Sequence, residues 1–595
     1  MRRQIALTLL LFAAVTAWAS PAVPVDYTVS LRDARAHLVR VRMQLAGTAA
    51  ERDIQLPVWN ALYQIRDFAQ YVRYVRATDA QGRALPVRKL DKTTWRISGA
   101  EAGASVEYLV YADVSGPYSM QVNNEHAFFN LAQLLMYPVD AREAAMTVKF
   151  TDVPSGWTIA TPLAVLDERS HTYTARNYDR LVDGPVDIGK LERTSYDQDG
   201  ARYHIVVDAE PGDFNMDAVV TMAKKITKST VEWMSERPFT EYTFFYHFRH
   251  GPGSGGMEHA YSTVIDLNAE RLQDSPLDLP SLTAHEFFHL WNVKRLRPAS
   301  LEPIDYTREQ YTRSLWFSEG FTSTVGDLML ARTGYFDERG YLGNLAQEIR
   351  TLQLRPAHRT QSVEDSSLDT WFDKYPQYRL PDRSISYYNK GEILGVLLDL
   401  ALRDATNGRK SLRELFQYMN TKYAHEGRPF PDGAGVREAA EAISGKDFGW
   451  FFTRYVSGLD ELPYDQMFAT VGLRLNRKQI TIPYVGFTTV RNFDQPPVVV
   501  LIEEGSEAQR AGLEQGDQVV AVNGRTLTGD LDARLAELRV GDTVKLRVVG
   551  RKGSRELKLT LGGHAQDEYS FSDLERVTPP QRARRTAWLR GEAEP

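Results

Sequence analysis

Residues 281–293 read Ser-Leu-Thr-Ala-His-Glu-Phe-Phe-His-Leu-Trp-Asn-Val, and the pattern predicts a helix. At 100° per residue, His285 and His289 project from one face of that helix, with their Cβ atoms about 5–6 Å apart. Two imidazoles at this spacing can bind one metal ion. Glu286 lies about 60° around the helix from His289, beside such an ion, where it can take a proton from a water molecule. The alternative is a chance match in which both histidines lie on the surface.

A third metal ligand is expected downstream, because zinc in hydrolases usually has three protein ligands and keeps a fourth position for water. The candidate is Glu319, within Leu-Trp-Phe-Ser-Glu-Gly-Phe-Thr at 315–322, which has the pattern of a second helix. Burying a carboxylate among large apolar residues is costly unless it has a partner. The sequence therefore predicts one Zn²⁺ per chain, bound by the two histidines and Glu319. The alternative is an ion pair of Glu319 with Arg295 or Arg313.

Composition limits the partners of the chain. Its 595 residues exceed what one compact core accommodates, so we expect several domains. Hydrophobic residues make up 43% and charged residues 25%, the balance of a folded protein. The net charge of −6 comes without a strong basic block, which excludes nucleic acid as an expected partner.

The N-terminus has the features of a secretory signal. Arg2 and Arg3 precede an apolar run at 5–15, which is followed by Ala-Trp-Ala at 17–19. The run is too short for a membrane-spanning helix, and we expect cleavage after residue 19. An uncleaved anchor is the alternative. With no cysteine in the sequence, a lipid anchor on a lipobox cysteine and disulfides are both excluded. We expect an exported protein, in the periplasm, with no membrane span after cleavage.

The rest of the chain predicts a multidomain α+β protein. Alternating β-type stretches fill the first part, helical periodicity begins near residue 217, and a compact β-rich unit begins near residue 484. The charge-rich C-terminus is predicted to be a tail. The predicted domains are a signal peptide at 1–19, a β-rich domain at 20–213, a catalytic domain at 214–462, a PDZ-like unit at 483–564 and the tail at 565–595.

The metal-binding pattern resembles the gluzincin metallopeptidases, in which a histidine pair is followed by a glutamate on a second helix. The segment Gly255-Gly256-Met257-Glu258-His259 is similar to the G-x-M-E-N segment of aminopeptidase N and leukotriene hydrolase. In those enzymes the glutamate binds the free α-amine of the substrate. The resemblance implies that Gly255, Gly256, Met257 and Glu258 bind substrate, with Glu258 on the amine. His259 departs from the pattern, and a plain hairpin loop is the alternative.

A second element, Tyr387-Tyr388-Asn389-Lys390-Gly391, is similar to the Y-x-K-G of the same enzymes. There the tyrosine hydroxyl stabilises the oxyanion of the tetrahedral intermediate. The aligned residue is Tyr388, and such a hydrogen-bond donor contributes about 2–4 kcal/mol of transition-state stabilisation. The alternatives are the neighbouring Tyr387 or a purely structural aromatic pair.

The β-rich unit from residue 484 resembles a bacterial PDZ domain. Its loop Val485-Gly486-Phe487 would offer backbone N–H groups to the C-terminal carboxylate of a protein, and the following strand would accept an added strand. Protein C-termini are thus possible partners. The alternative is that the unit only packs against the catalytic domain.

The ordered set of motifs is most similar to the glycyl aminopeptidase family of PDZ-bearing metallopeptidases. The resemblance implies a β-sandwich-like N-terminal domain, a thermolysin-like and mostly α catalytic domain, and removal of N-terminal Gly or Ala from peptides with a free N-terminus. Glu286 would be the general base. Two other hypotheses stay open: an endopeptidase that uses the PDZ to recruit protein tails, and a PDZ binding protein with a vestigial metal site.

Overall fold

The computed structural model describes residues 24–594 except residues 48, 61–62, 252–253, 492–494 and 528–530; at 532–533 only the backbone is described. The predicted signal peptide, residues 1–19, lies outside the described residues. Within the described part of the chain, no helix is both long and apolar enough to cross a bilayer. The predicted multidomain α+β class is confirmed: a sheet-rich N-terminal domain precedes a helical middle domain and a C-terminal β-rich unit.

The N-terminal domain forms three sheets around one core. Its strand Leu38–Leu45 buries Val39, Val41 and Met43 while the residues between them face outward, because side chains alternate across a strand. The eight strands of the largest sheet, in spatial order, are Ala164–Asp167, Thr172–Ala175, Met146–Thr151, Val25–Ser30, Leu38–Leu45, Ala104–Tyr111, Val72–Thr78 and Ala84–Leu85.

Two four-stranded sheets complete this domain, together with the short helix Tyr178–Val182. The first consists of Thr158–Ala160, Val186–Gly189, His126–Phe129 and Gln121–Val122, and the second of Tyr137–Pro138, Glu51–Gln55, Thr94–Ser98 and Val87–Lys89.

A five-stranded sheet forms the base of the middle domain, and it differs from the predicted boundary at residue 213. The strand Ala201–Ala209 pairs in parallel with Glu241–Arg249, so it belongs to this sheet and not to the N-terminal domain. Alternation identifies a strand but not its partner. The spatial order is Glu192–Gln198, Ala201–Ala209, Glu241–Arg249, Ser262–Asn268 and, antiparallel at the edge, Ser254–Glu258.

The helices of the middle domain pack on this sheet and on one another. The helix Tyr387–Thr406 is apolar on nearly every side and is buried at the centre. It approaches the turn Trp316–Phe321 at Gly391 and Gly320, where an added Cβ would overlap the facing backbone. The other helices are Met216–Met234, Arg271–Asp274, Asp278–Phe288, Thr322–Thr333, Glu338–Gln353, Val363–Leu368, Leu412–Met419, Asp432–Ser444, Gly449–Phe451 and Tyr464–Ala469.

A two-stranded antiparallel ribbon, Leu473–Tyr484 with Gly562–Asp573, joins the middle domain to the C-terminal β-rich unit. That unit has its own apolar core. Its strands are Phe487–Val490, Val498–Ile502, Gln518–Val522, Arg525–Thr526, Thr543–Gly550 and Gly553–Thr560, and its helices are Glu507–Arg510 and Leu531–Ala536.

The structure differs from the predicted tail at 565–595. Residues up to 573 complete the ribbon, and the helix Pro579–Leu589 packs against the middle domain. Trp588 is 1% exposed, and the indole of Trp233 donates a hydrogen bond of 2.7 Å to the carbonyl oxygen of Gly591. The charges that suggest a tail lie on the outer face of this helix or pair with the middle domain, as Arg584 does with Asp404.

Candidate active site

A cavity of about 1830 Å³ lies between the N-terminal and middle domains. Both domains contribute side chains to its wall. From the middle domain come the predicted site residues His285, Glu286, His289, Glu319, Glu258 and Tyr388, and from the N-terminal domain come Trp59, Asn60, Tyr63 and Tyr118. The structure thus brings the predicted catalytic, substrate-binding and metal-binding residues to one cavity.

The three predicted metal ligands converge within this cavity. The Nε2 atoms of His285 and His289 lie 3.0 Å apart, and Oε2 of Glu319 lies 3.5 Å from the first and 3.2 Å from the second. The histidines project from the end of the helix Asp278–Phe288, one turn apart as the spacing predicts. Three donor atoms from two segments therefore face one point.

Hydrogen bonds behind the histidines hold these orientations. Nδ1 of His289 donates to the carbonyl oxygen of Asn292 at 2.7 Å, which directs Nε2 toward Glu319. Nδ1 of His285 lies 3.2 Å from the hydroxyl of Ser323. The amide of Asn292 donates to the carbonyl oxygen of Phe317, two residues before the glutamate. These contacts are the outer partners that fix ring orientation in metal sites.

Glu319 lies in a π-helical turn, Trp316–Phe321, which is a common feature of functional sites. It is 5% exposed. The arginine alternatives are not its partners, since Arg295 pairs with Glu236 and Arg313 with Asp365. Burial alone would raise the pKa of Glu319, but the charges and hydrogen bonds of His289 and His285 together outweigh it and hold that pKa well below its usual value.

The donor set fits a divalent cation. Burial alone would lower the pKa of His289, but the carboxylate of Glu319 outweighs this and raises the pKa to about 10. The carboxylate thus favours positive charge at His289, and a cation bound between the two groups would displace a proton, as metal binding at such sites does. Two imidazoles and one carboxylate are a known catalytic zinc set. His285, His289 and Glu319 thus have the chemistry to hold zinc.

Glu286 lies beside this triad and has the properties of a proton acceptor. It is 5% exposed, and its Oε2 atom has no hydrogen-bond partner among the described residues. The pKa of Glu286 is raised to about 8, and burial of the carboxylate is the largest cause. Gly256 of the edge strand Ser254–Glu258 packs directly on this carboxylate. The approach is so close that a Cβ atom added at Gly256 would overlap the carboxylate. A glycine is therefore needed where the strand crosses the helix.

The edge strand carries the predicted substrate-binding residues. Gly255 packs on a side chain of the N-terminal domain, since an added Cβ would lie 2.8 Å from the hydroxyl of Tyr118. Met257 is buried, whereas Glu258 is partly exposed and lines the cavity. One side of the strand pairs with Ser262–Asn268, and it is the last strand of its sheet. Its other edge is the surface on which an extended peptide can add.

The two adjacent tyrosines occupy different places. The hydroxyl of Tyr387 lies 3.1 Å from that of Thr370, and Tyr387 is not among the residues that line the cavity. The ring of Tyr388 stacks near His285, with 6.2 Å between ring centroids, and lines the cavity. Burial, as the largest cause, raises the pKa of Tyr388 well above its usual value, so the hydroxyl keeps its proton and can donate it in a hydrogen bond.

Sequence reasoning missed the contribution of the N-terminal domain. Tyr63 has a backbone φ of 41°, which is strained for a bulky residue. Its ring packs with Trp59 and with Trp371 of the middle domain. Burial raises the pKa of Tyr63, and the negative charges of Glu319 and Glu258 raise it further. No spacing in the sequence indicates that this distant loop reaches the metal ligands.

The predicted PDZ loop forms a tight turn in the C-terminal unit. Val485 and Phe487 are buried, and Gly486 has a φ of 77°, which favours glycine. The backbone N–H of Glu503 donates to the carbonyl oxygen of Gly486 at 3.0 Å. Within the described part of the chain, none of the three loop residues lines the catalytic cavity.

Comparison with known proteins gives three family matches. Residues 26–190 match the Peptidase M61 N-terminal domain, residues 278–394 match M61 glycyl aminopeptidase, and residues 475–549 match a PDZ domain. A search of curated proteins gives no match.

Solved structures also resemble the chain. One is an aminopeptidase N family protein from Idiomarina loihiensis, 25% identical with a TM-score of 0.80, and the match covers 95% of this chain and 100% of that chain. Another is an M1 zinc metallopeptidase from Deinococcus radiodurans, 15% identical with a TM-score of 0.47, covering 74% of this chain and 95% of that chain. The first therefore shares the arrangement of all three domains.

Proposed function

The chain belongs to the M61 peptidase family and is a metallopeptidase with a PDZ domain, and from this premise we propose that it is a zinc aminopeptidase. It would remove residues from the free N-terminus of peptides. One observation carries the proposal: the same cavity holds the metal-binding triad, the unpartnered carboxylate of Glu286, and Glu258 at the end of an edge strand.

The proposed reaction is metal-assisted amide hydrolysis. Zinc held by His285, His289 and Glu319 would polarise the scissile carbonyl and lower the pKa of the attacking water. Glu286 takes a proton from this water and passes it to the leaving amine. Its burial supports this role, because a buried carboxylate without a hydrogen-bond donor binds a proton readily.

The chain's other polar groups orient the substrate. The peptide lies along the edge strand Ser254–Glu258, and Glu258 accepts hydrogen bonds from its α-ammonium group. This contact presents the first peptide bond to Glu286 and excludes internal bonds. Tyr388 donates a hydrogen bond to the oxygen that becomes negatively charged.

We infer a preference for N-terminal Gly or Ala. The match to M61 glycyl aminopeptidase supports it.

We also propose that the protein is exported to the periplasm and loses residues 1–19, on the evidence of the N-terminal sequence pattern. The PDZ would bind the C-terminus of a protein at Val485, Gly486 and Phe487. The match to the PDZ model supports peptide binding there.

The test compares Gly-, Ala- and Leu-p-nitroanilide with their N-acetylated forms. We expect cleavage of the free Gly and Ala substrates only, and loss of activity on chelation or in Glu286→Gln. Glu258→Gln should lower the preference for free over acetylated substrate at least about 10-fold. Equal cleavage of blocked substrates by the wild type would establish an endopeptidase, and no cleavage with added zinc would leave a PDZ binding protein.

A further inference from the structure

Glu258 is followed by a group of charged residues that the proposed reaction does not use. His259 is 1% exposed, lines the cavity, and stands where the similar segments have Asn. Its Nδ1 atom lies 3.4 Å from Oδ1 of Asp183, a residue of the N-terminal domain. Among the described residues, neither ring nitrogen of His259 has a hydrogen bond of good geometry. The carboxylate of Asp183 therefore lies beside the buried imidazole of His259, the residue that follows Glu258.

Asp183 has three further partners. Its Oδ1 lies 2.8 Å from Nζ of Lys294, and its Oδ2 lies 2.8 Å from Nη1 of Arg180. The backbone N–H of Ala260 donates to Oδ2 at 3.0 Å. Lys294 follows the metal-binding helix, and Ala260 follows the edge strand. One carboxylate therefore ties the end of the edge strand to the chain beyond His289 and to the N-terminal domain.

Electrostatics explains why the end of the strand needs this contact. Glu258 shares its cavity with the carboxylates of Glu286 and Glu319. Like charges in a buried site repel one another. Asp183 with Lys294 and Arg180 carries one surplus positive charge. The cations, with Lys294 as the strongest, outweigh the burial of Asp183 and hold its pKa far below its usual value, so the carboxylate stays ionised.

We propose that Asp183 is a positioning residue for Glu258: through Ala260, His259 and Lys294 it fixes the end of the edge strand so that Glu258 meets the α-ammonium of the substrate. This inference rests on the proposed function. It makes recognition of the amine depend on a contact across the two domains. Asp183 touches no reacting atom in this arrangement, so its loss should weaken binding of the amine more than the chemical step.

The test measures KM and kcat for Ala-p-nitroanilide and kcat/KM for its N-acetylated form in Asp183→Asn. We expect KM for the free substrate to rise about 10-fold, kcat to stay within about 3-fold, and the preference for the free over the acetylated substrate to fall. Asp183→Glu should restore part of the preference, because it keeps the charge.

Asp187→Asn is the matched control. Asp187 also belongs to the N-terminal domain and also contacts a histidine of the middle sheet, His247, at 3.1 Å. Among the described residues, the side chain of Asp187 has no hydrogen bond or ion pair with the edge strand Ser254–Glu258. We expect its replacement to lower thermal stability and leave the preference unchanged. Equal loss of preference in both variants would show that Asp183 only joins the domains, and the inference would be wrong.

Lys294→Met decides the question if Asp183→Asn does not fold. It removes one partner and leaves Arg180 and Ala260 in place, and we expect about a 3-fold rise in KM. An unchanged KM would overturn the inference. If Glu258→Gln itself keeps the full preference, the amine anchor of the proposed function fails. If Glu258→Gln loses the preference and Asp183→Asn keeps it, only the present inference fails.

Discussion

Two of the buried clusters of histidine and carboxylate in the described part of the chain have opposite designs. In the metal-binding triad, two histidines and Glu319 face one another beside a cavity. In the second cluster, His247 lies between two aspartates, with Nδ1 2.7 Å from Asp266 and Nε2 3.1 Å from Asp187. His247 is fully buried, and within the described residues none of this cluster lines the cavity.

The difference lies in what each cluster leaves unsatisfied. Both nitrogens of His247 have a carboxylate partner, so a proton completes the cluster, and no ring nitrogen remains for a metal. In the triad, Nε2 of both His285 and His289 points at the same place, where a single proton cannot serve two imidazoles and Glu319 equally well. Buried ionisable groups therefore indicate a metal site only when their donor atoms converge on shared space.

Replacing a histidine in each cluster should give different results for activity, with the largest effect at the triad. We expect His289→Ala to lose bound metal and to lower kcat/KM at least about 10⁴-fold, because one of the three protein ligands is removed. Its unfolding temperature without metal should fall as well, because Glu319 stays buried without its strongest cationic partner. Metal analysis and calorimetry of the chelated protein test this. A variant that keeps metal and activity would contradict the assignment of the ligands.

His247→Ala should lower stability and spare activity. It leaves Asp187 and Asp266 buried without a cation, and we expect a loss of about 3–5 kcal/mol of unfolding free energy. At a temperature where the variant is folded, activity should stay within about 3-fold of wild type. Denaturant unfolding and p-nitroanilide assays test both statements. His250→Ala is the control, because His250 forms an exposed pair with Asp213 worth at most about 1 kcal/mol.

The second cluster should also give the protein a pH-dependent stability. Burial alone would lower the pKa of His247, but the carboxylates of Asp266 and Asp187 together outweigh it and raise the pKa from 6.5 to about 9. The folded state then binds the proton more tightly than the unfolded state. The contribution, up to about 3 kcal/mol, is complete below pH 6.5 and disappears as pH rises through 9. Unfolding measured from pH 6 to 10 should show this loss in wild type and not in His247→Ala.

The smallest of the four effects concerns the contact between the edge strand and the general base. In Gly256→Ala the added methyl group meets the carboxylate of Glu286, and we expect kcat to fall about 10–100-fold with little change in unfolding temperature. Gly343→Ala is the control, because its Cβ meets open space on a helix. Full activity of Gly256→Ala would show that Glu286 need not stay where the structure has it.

The sequence predicted what is local in the site. The pair His285 and His289 follows from helical spacing alone, and Glu286 follows with it. Glu319 required the further argument that a carboxylate among apolar residues needs a partner. The choice of Tyr388 over Tyr387 depended on the resemblance to the Y-x-K-G segment. Two neighbouring tyrosines have the same chemistry, and the sequence alone does not show which side chain points toward the site.

What the sequence did not predict is set by contacts between distant segments. The sequence pattern assigns the strand Ala201–Ala209 to the N-terminal domain, whereas the structure pairs it with Glu241–Arg249 of the middle sheet, because the partner of a strand is decided by the whole sheet. Asp183 and Tyr63 reach the cavity from the N-terminal domain, and nothing near them in the sequence indicates a neighbour in the middle domain. The helix Pro579–Leu589 resembles a tail because few of its residues are apolar, although Trp588 among them is buried.

The two-stranded ribbon gives the chain an unusual order of assembly. Leu473–Tyr484 leads into the PDZ and Gly562–Asp573 leads out of it, so the PDZ is inserted between two parts of the middle domain. During synthesis, the helix that carries Trp588 emerges only after the whole PDZ has been made. The core of the peptidase is therefore completed last, and a nascent chain that already displays a finished PDZ still lacks the final piece of its catalytic domain.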